Sequence, residues 1–455
     1  MNRAGRDVAG FYPELRRLAA SAGSASALSG GLSGGAGSAS ELARFGGALK
    51  NLQRGLTGDR LLAGASYFSS ADYLGAYLLY YWPVSFVQVS LALEEIRLRG
   101  ALPPIRRVLD IGAGPGPASF AAAGFGAVES CLVDANGEAL DAAMRLNGAL
   151  KDRQPIGFTP FRRNLEEDDT FDGIGPPESA DARDGNDGRD GAEKLGGTGK
   201  QSAPYDLIVA CHSANEFWKG RDDAIARRTS LFEKATALLA EGGILLIIEP
   251  SANVTGRPAL ELRDRLLADN PTLSCVAPCP GSFPCPIAAA GEGRSCHSTW
   301  LWEPDGPVAA LARAAGLDRD SAKATWFALR KGGSPRAGEK VEPAQPHGEG
   351  RPAGDRSGAS SLSGRVVSES MLNKAGRVRY IVCTESGLAT LSAKAGDGAL
   401  RDRAATAGTA EAAEFFSLKR GDLVEAEGLE RRVGENSFGF VQGSMLTIAM
   451  QAPEA

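Results

Sequence analysis

The sequence lacks several features that mark large classes of protein. No uninterrupted apolar stretch reaches the roughly twenty residues that a membrane span needs, and the N-terminus has no apolar core of a secretory signal. A net charge of −5 leaves no general excess of cations for wrapping nucleic acid. We therefore expect a soluble protein with no membrane partner and no DNA partner, whose 7 cysteines stay reduced.

Length and composition indicate a globular protein of more than one domain. A chain of 455 residues is too long to fold around one ordinary hydrophobic core. Its composition, with 43% hydrophobic and 23% charged residues, is typical of globular proteins. We divide it into a helical region (1–99), a strand–helix domain (100–332), a disordered linker (333–363) and a C-terminal β domain (364–455). A polar insert at 171–204 has too little apolar content to fold.

Residues 41–99 carry aromatic and aliphatic side chains at three- and four-residue spacing, which is typical of helices. We interpret this segment as a helical layer that packs against the following domain. The alternative is a platform of aromatic rings on which nucleic-acid bases stack.

A glycine-rich turn follows the first predicted strand, in the stretch LDIGAGPGPASF. Gly112, Gly114 and Gly116 recur at every second residue, whereas a dinucleotide site needs its third glycine where Pro117 stands. With Asp110 in front of it, the turn resembles motif I of the S-adenosylmethionine-dependent methyltransferases. The resemblance implies that the bare glycine backbone accommodates the methionine end of the cofactor, and that Asp110 orients it.

Two further polar side chains follow neighbouring predicted strands. Asp134 stands about twenty residues after the turn, where a carboxylate can accept both ribose hydroxyls of a nucleoside. Asn164 follows the third strand, and the methyltransferase resemblance implies that it reads the adenine amine. We therefore predict S-adenosylmethionine as cofactor, bound by Asp110, the three glycines, Asp134 and Asn164.

The alternation of strands and helices from 105 to 331 predicts the fold class. Seven apolar runs separated by helical windows match a doubly wound α/β sheet; they are RRVLDI, SCLVD, IGFTPF, YDLIVAC, GGILLIIEP, TLSCVAP and KATWFALRK. In the methyltransferase variant of this sheet the last two strands form an antiparallel pair. Beyond the linker, short β runs predict a small barrel of the oligonucleotide-binding type or a β-sandwich.

The cysteines fall into two groups. Cys131 and Cys211 lie within predicted strands, where we expect them to be small buried hydrophobes. Four others stand in a Pro- and Gly-rich loop at 275–297 that has few core residues to hold it; they are Cys275, Cys279, Cys285 and Cys296. Converging thiolates bind zinc or an iron–sulfur cluster, and spacing wider than the C-x2-C of zinc ribbons favours the cluster.

The same loop carries a more specific resemblance. The segments APCPGSFPCPI and SCH, downstream of CHSANEFWKG and ILLIIEPSANVTGRPALELRDRLL, resemble the mitochondrial and bacterial small-ribosomal-subunit methyltransferase-like family. The resemblance implies a [4Fe-4S] cluster bound by Cys279, Cys285 and Cys296, with Cys383 of the C-terminal domain as the fourth ligand and zinc as the alternative metal. Cys275 is left without a role. A shared cluster would fix the placement of the two domains.

The resemblance also implies a function in assembly of the small ribosomal subunit, with ribosomal RNA as partner. No catalytic residue is identified, because the fourth strand lacks an Asn/Asp-Pro-Pro-aromatic turn and Cys211 lacks the surroundings of a pyrimidine-carbon nucleophile. The alternatives are an active methyltransferase for ribosomal RNA or a ribosomal protein, and one for a small molecule. We expect a bacterial-type cytoplasmic protein; an Arg-, Ala- and Ser-rich N-terminus makes the mitochondrial matrix the alternative.

Overall fold

Three parts follow one another along the chain: N-terminal helices, a central mixed sheet with helices on both faces, and a C-terminal β domain. The computed structural model describes residues 3–21, 39–64, 67–150, 156–175, 203–291, 296–304, 306–317, 320–332, 360–394, 411–434, 436–441 and 444–453.

The N-terminal helices form a layer against the sheet. They are α1 (Arg3–Ala9), α2 (Tyr12–Ser21), α3 (Ala39–Gln53), α4 (Ala71–Ala76) and α5 (Trp82–Leu98). Through a π-helical turn α4 and α5 form one helix, Ala71–Leu98, which by length and composition alone could cross a membrane. However, 89% of its most apolar window is buried inside the protein, as in a core helix that is apolar on all sides.

Several aromatic rings of this layer are core residues. The Phe11 ring centroid lies 5.0 Å from that of Trp82 and 5.5 Å from that of Phe120, which follows the glycine-rich turn. Trp82 is fully buried, and its indole N–H donates to the carbonyl of Pro115 at 3.1 Å. The helical layer is thereby attached to the glycine-rich turn itself.

The central sheet has eight strands among the described residues: β1 (Arg107–Ile111), β2 (Glu129–Asp134), β3 (Gly157–Arg162), β4 (Tyr205–Cys211), β5 (Leu239–Pro250), β6 (Leu273–Ala277), β7 (Ser298–Leu301) and β8 (Ser321–Lys331). Their order is β3-β2-β1-β4-β5-β8-β6, and β7 also pairs with β8. The pairs among β1 to β5 are parallel, whereas β8 is antiparallel to β5, β6 and β7. The predicted doubly wound α/β class, with its antiparallel end, is confirmed.

Four helices connect the parallel strands and cover the sheet: α6 (Pro117–Ala123), α7 (Gly137–Leu150), α8 (Ala224–Ala237) and α9 (Asn253–Asp269). The central strands β1, β4 and β5 read as nearly continuous apolar runs, because both of their faces are buried. Since parallel strands end at the same edge of a sheet, the turns after β1, β2 and β4 lie side by side.

The eighth strand, β7, was not predicted from the sequence. A run of four residues just after Cys296 is too short to show an alternating pattern. Ser298–Leu301 pairs with residues 321–324 at the start of β8. Trp300 is buried there, with its ring centroid 6.0 Å from that of Trp326. Pairing and packing, rather than local pattern, therefore make this segment a strand.

The C-terminal domain is a closed β-barrel. Its elements are β9 (Ser360–Val366), β10 (Met371–Leu372), β11 (Arg377–Thr384), β12 (Gly387–Lys394), α12 (Glu411–Ser417), β13 (Leu423–Arg431), β14 (Ser437–Gly439) and β15 (Met445–Met450). The ring β9-β11-β12-β14-β13 closes because β9 pairs with both β11 and β13, and β12 and β14 are parallel. A five-stranded ring with a helix after its third strand is the topology of oligonucleotide-binding barrels. The barrel alternative is confirmed, and the sandwich is wrong.

Two segment boundaries differ from those expected. β9 begins at Ser360, inside the expected linker 333–363, because pairing on both edges makes a strand of a Ser- and Gly-rich run. Phe171 and Ile174, at the start of the expected insert 171–204, are 8% and 2% exposed and belong to a core cluster of the sheet domain. Most of both segments lies outside the described residues.

Candidate functional site

The turn after β1 has a backbone that glycine adopts readily. Gly112, Gly114 and Gly116 have φ angles of +67°, +53° and +77°. A Cβ on Gly112 would lie 2.3 Å from the Cβ of Ser213, and one on Gly116 would lie 3.2 Å from a methyl group of Leu132. A Cβ on Gly114 would make ordinary van der Waals contact, at 3.9 Å with the ring of Phe68 and at 4.0 Å with the hydroxyl of Tyr77.

Gly112 and Gly114 line a cavity of about 650 Å³ at the carboxyl edge of the sheet. It lies beside β1 and β4, where the strand order reverses, and open α/β sheets bind ligands at this point. The helical layer covers its other side. The predicted cofactor residues that line it are Gly112, Gly114, Asp134 and Asn164.

Asp134 and Asn164 bring fixed polar groups to the cavity wall. One carboxylate oxygen of Asp134 accepts from the Gly114 N–H at 2.8 Å, and the other accepts from the Asn136 N–H at 2.8 Å. Burial raises the pKa of Asp134. The Oδ1 of Asn164 accepts from the Glu166 N–H at 3.1 Å, which holds the amide in place.

Asp110 and Gly116 are not among the residues that line the cavity. Asp110 is 1% exposed, and its carboxylate accepts from the N–H of Ser119 at 3.2 Å and from its hydroxyl at 2.7 Å. Burial raises the pKa of Asp110 to about 7. Asp110 therefore holds the start of α6 through Ser119, behind the cavity wall. Its expected contact with the methionine end of a cofactor stays a prediction.

Aromatic side chains of the helical layer complete the cavity wall, and they were not predicted as site residues. The rings of Phe68 and Tyr77 meet edge to face at 4.9 Å, and Tyr67 packs on Phe68 at 4.4 Å. Burial raises the pKa of Tyr67 and of Tyr77 well above the ordinary value, so both phenols stay neutral. Helical spacing revealed these rings, but spacing alone cannot separate a core ring from one that faces a cavity.

His212 has a strained backbone directly after β4. Its φ angle is +62°, which is uncommon for a residue other than glycine. The amide NH2 of Gln88 donates to the carbonyl of Lys323 at 2.8 Å, so its Oε1 accepts from His212 Nε2 at 2.7 Å. In this arrangement the imidazole carries its proton on Nε2 and Nδ1 is an acceptor. Burial raises the pKa of the adjacent Cys211 thiol, which argues against a thiolate nucleophile.

Two buried carboxyl groups accept hydrogen bonds that connect the segment after β4 to β5 and to the N-terminal region. Glu249 in β5 is 1% exposed and accepts from the N–H of Asn215 at 2.9 Å and from its side-chain amide. Burial raises the pKa of Glu249 to about 8. Glu216 lines the cavity and accepts from the Gly64 N–H at 3.0 Å, and burial raises its pKa to about 7.

Three of the four predicted cluster ligands pack together where the sheet domain contacts the barrel. Cys285, just before α10 (Pro286–Ala289), and Cys383, in β11, are buried in one apolar cluster with Leu260 of α9. Cys296 packs against the same cluster. The contact therefore joins residues from both domains.

Electrostatic interactions connect all four predicted ligands. Burial is the main reason that the pKa of Cys383 is raised, and interactions with Cys279, Cys296 and Cys285 raise it further. The pKa of Cys279 is lowered by the neighbouring Cys275 thiol and by guanidinium groups that face it. The Cys275 thiol itself donates to the carbonyl of Ala277 at 3.6 Å. The guanidinium groups belong to Arg263, Arg365 and Arg99.

The spacing of possible metal donors bears on which metal could bind. Among the described residues, no group of three His, Cys, Asp or Glu side chains stands close enough to hold one metal ion. A zinc ion holds each sulfur ligand at about 2.3 Å.

No protein-family model and no curated protein matches the chain. Among similar solved structures is an S-adenosylmethionine-dependent methyltransferase from Leishmania major, at 13% identity over 63% of this chain and 82% of that chain, with a TM-score of 0.33. Magnesium protoporphyrin IX methyltransferase from Synechocystis PCC 6803 is similar at 11% identity over 63% and 97%, with a TM-score of 0.30. Ribosomal protein L11 methylase from Lactobacillus delbrueckii is similar at 14% identity over 55% and 79%, with a TM-score of 0.29. At these values the likeness says nothing about substrate or partner.

We predict that Glu249 makes the protein less stable as pH rises. Its folded-state pKa of about 8 exceeds the ordinary 4.5, so the folded state binds a proton that the unfolded state releases between these values. The stabilisation is complete below pH 4.5 and is lost as pH rises through 8. Glu249→Gln should reduce the slope of the unfolding free energy against pH by at most about 1.4 kcal/mol per pH unit. Urea unfolding from pH 5 to 8, at about unit intervals, measures this slope.

The matched control is Glu261→Gln, which changes an exposed carboxylate that pairs with Arg265. Its unfolding free energy should follow the wild-type pH dependence. A Glu249→Gln curve parallel to the wild-type curve would contradict the raised pKa.

Proposed function

We propose that this protein is an assembly factor of the small ribosomal subunit, which binds S-adenosylmethionine and a [4Fe-4S] cluster and contacts ribosomal RNA. The observation that carries the proposal is that Cys285, Cys296 and Cys383 pack in one apolar cluster at the domain contact, and that Cys279 of the sheet domain interacts electrostatically with Cys383. We further propose that it acts in a bacterial-type cytoplasm, with the mitochondrial matrix as the alternative.

The cavity has the features that S-adenosylmethionine requires. Gly114 lines the cavity, and without a Cβ its backbone is open to the methionine end of the cofactor. Asp134 offers the ribose hydroxyls a carboxylate that two N–H groups hold in place. Asn164 is available to the adenine amine, and the rings of Tyr67 and Tyr77 cover the opposite wall. When bound, the cofactor would supply an electrophilic methyl group.

The donor set at the domain contact supports a cluster. Soft thiolates bind both iron–sulfur clusters and zinc. We favour the [4Fe-4S] cluster because the four thiols interact electrostatically and because cationic side chains face them. Zinc is the alternative, and metal analysis distinguishes the two.

The outer face of the barrel supports contact with RNA. Arg377 in β11 lies opposite Lys394 in β12, and Arg379 follows two positions later on the same face. The guanidinium groups of Arg377 and Arg432 both approach Gly439 in the neighbouring β14. Barrels of this topology bind oligonucleotides on the face of their second and third strands. This local group of cations can bind phosphates despite the net charge of −5.

An active methyltransferase for ribosomal RNA or a ribosomal protein is the second candidate, and His212 is the observation that favours it. The strained backbone of His212 places an imidazole of defined tautomer on the cavity wall, next to the predicted cofactor site. In this reading the imidazole of His212 is the candidate general base for the acceptor group.

We predict that Asp134→Asn weakens binding of S-adenosylhomocysteine by about 10- to 100-fold. The variant replaces a charged acceptor by a neutral amide, and hydrogen bonds to charged groups contribute about 1.5–3 kcal/mol. Isothermal titration calorimetry measures the effect. Asp141→Asn, on the exposed side of α7, is the control and should bind like the wild type. Equal affinities of wild type and Asp134→Asn would contradict the predicted site.

We predict that anaerobically purified protein contains iron and acid-labile sulfide, with about four irons per chain and broad visible absorption. Cys383→Ser should lose most of this iron, because it removes the ligand from the barrel. Cys131→Ser, a change to a buried cysteine in β2, should keep it. Stoichiometric zinc without sulfide would exclude the cluster.

An assay in which the protein is incubated with small-subunit particles and radiolabelled S-adenosylmethionine distinguishes the two functions. Co-sedimentation with the particles without methyl transfer supports the assembly factor. Transfer that Asp134→Ala abolishes supports the enzyme. No association with particles would contradict both and favour a small-molecule methyltransferase.

A further inference from the structure

Two arginines are buried beside the cysteines, one from each domain. Arg263 of α9 is 0% exposed and Arg365 of β9 is 1% exposed. Burying a guanidinium group costs several kcal/mol unless charges and hydrogen bonds compensate. The structure therefore has to supply a reason for these two buried charges.

Arg263 holds the loop that carries two of the cysteines. It donates to the carbonyl of Phe283 at 3.1 Å and to that of Gly281 at 2.8 Å, between Cys279 and Cys285. Its charge is partly balanced by Asp264. Within the part of the chain that the structure describes, its buried Nε–H has no hydrogen-bond partner.

Arg365 reaches from the barrel into the sheet domain. In the antiparallel pair β9–β11 it lies directly opposite Cys383, so both side chains share one face. One NH2 group of Arg365 donates to the hydroxyl of Ser298, two residues after Cys296, at 2.8 Å. Its buried Nε–H likewise has no partner among the described residues, which also give Arg365 no ion pair with a carboxylate.

These contacts leave positive charge and unused N–H donors at the cysteines. Arg263 interacts electrostatically with Cys279 and Cys275, and Arg365 interacts with Cys279, Cys296 and Cys383. A [4Fe-4S] core with four thiolates is an anion in both common redox states, and it is more negative when reduced. Its sulfurs accept hydrogen bonds, and such bonds and the local charge set its reduction potential.

We propose that Arg263 and Arg365 set the reduction potential of the cluster, by directing guanidinium charge and Nε–H donors at its sulfurs and so favouring the reduced state. This inference rests on the proposed cluster. Because Arg365 belongs to the barrel, barrel docking and cluster reduction are linked, and each favours the other.

A redox titration of the anaerobic full-length protein with dithionite, followed by electron paramagnetic resonance, tests the proposal. Arg263→Gln and Arg365→Gln should each shift the midpoint potential to more negative values, and the double variant should shift it further. Arg265→Gln, an exposed neighbour on α9, is the control and should keep the wild-type potential.

Lysine variants keep the test decisive if a glutamine variant loses its cluster. Arg365→Lys and Arg263→Lys retain the charge but lose the planar donor group, so their potentials should lie below that of the wild type. Potentials equal to wild type in iron-replete variants would overturn the inference and leave the proposed function intact. Wild-type protein without iron and sulfide would instead overturn the proposed function.

Discussion

The contact between the barrel and the sheet domain is the constraint on which the rest of the structure depends. It buries sulfur atoms and guanidinium groups from two domains whose described parts are separated in the chain by residues 333–359. Apolar side chains around Cys285 and Cys383 exclude water, and Arg365 crosses the contact to Ser298. An interface that buries unneutralised charge is a poor hydrophobic interface. An anionic group at its centre, such as the proposed cluster, would make it more favourable.

A second constraint places the cofactor cavity. Parallel strands end at one edge of the sheet, so the turns after β1, β2 and β4 meet there. The helical layer is attached at the same point, because the indole of Trp82 donates to Pro115 within the turn. Aromatic rings of that layer therefore become cavity wall. Two carboxylates stabilise the turn after β1 from opposite sides. Asp110 accepts from the N–H of Ser119 at the start of α6, and Asp134 accepts from the N–H of Gly114 on the cavity side.

The parts of the fold that local patterns predicted are those in which burial is continuous. Strands such as β4 and β5 are apolar along their length because both faces are covered. β7 and β9 were missed because their residues become strands only through pairing with distant segments. The tyrosines of the cavity were recognised as helical residues, yet their orientation depends on the turn that faces them.

By itself the sequence determined the sheet class, the glycine turn and the residue types that stand at both candidate sites, because these depend on local backbone geometry and on side-chain chemistry. Only the tertiary structure decided that Asp110 lies behind the cavity, that the C-terminal strands close into a barrel, and that Arg263 and Arg365 face the cysteines. Those facts depend on contacts between residues far apart in the chain, and no spacing in the sequence records which distant side chains share a buried space.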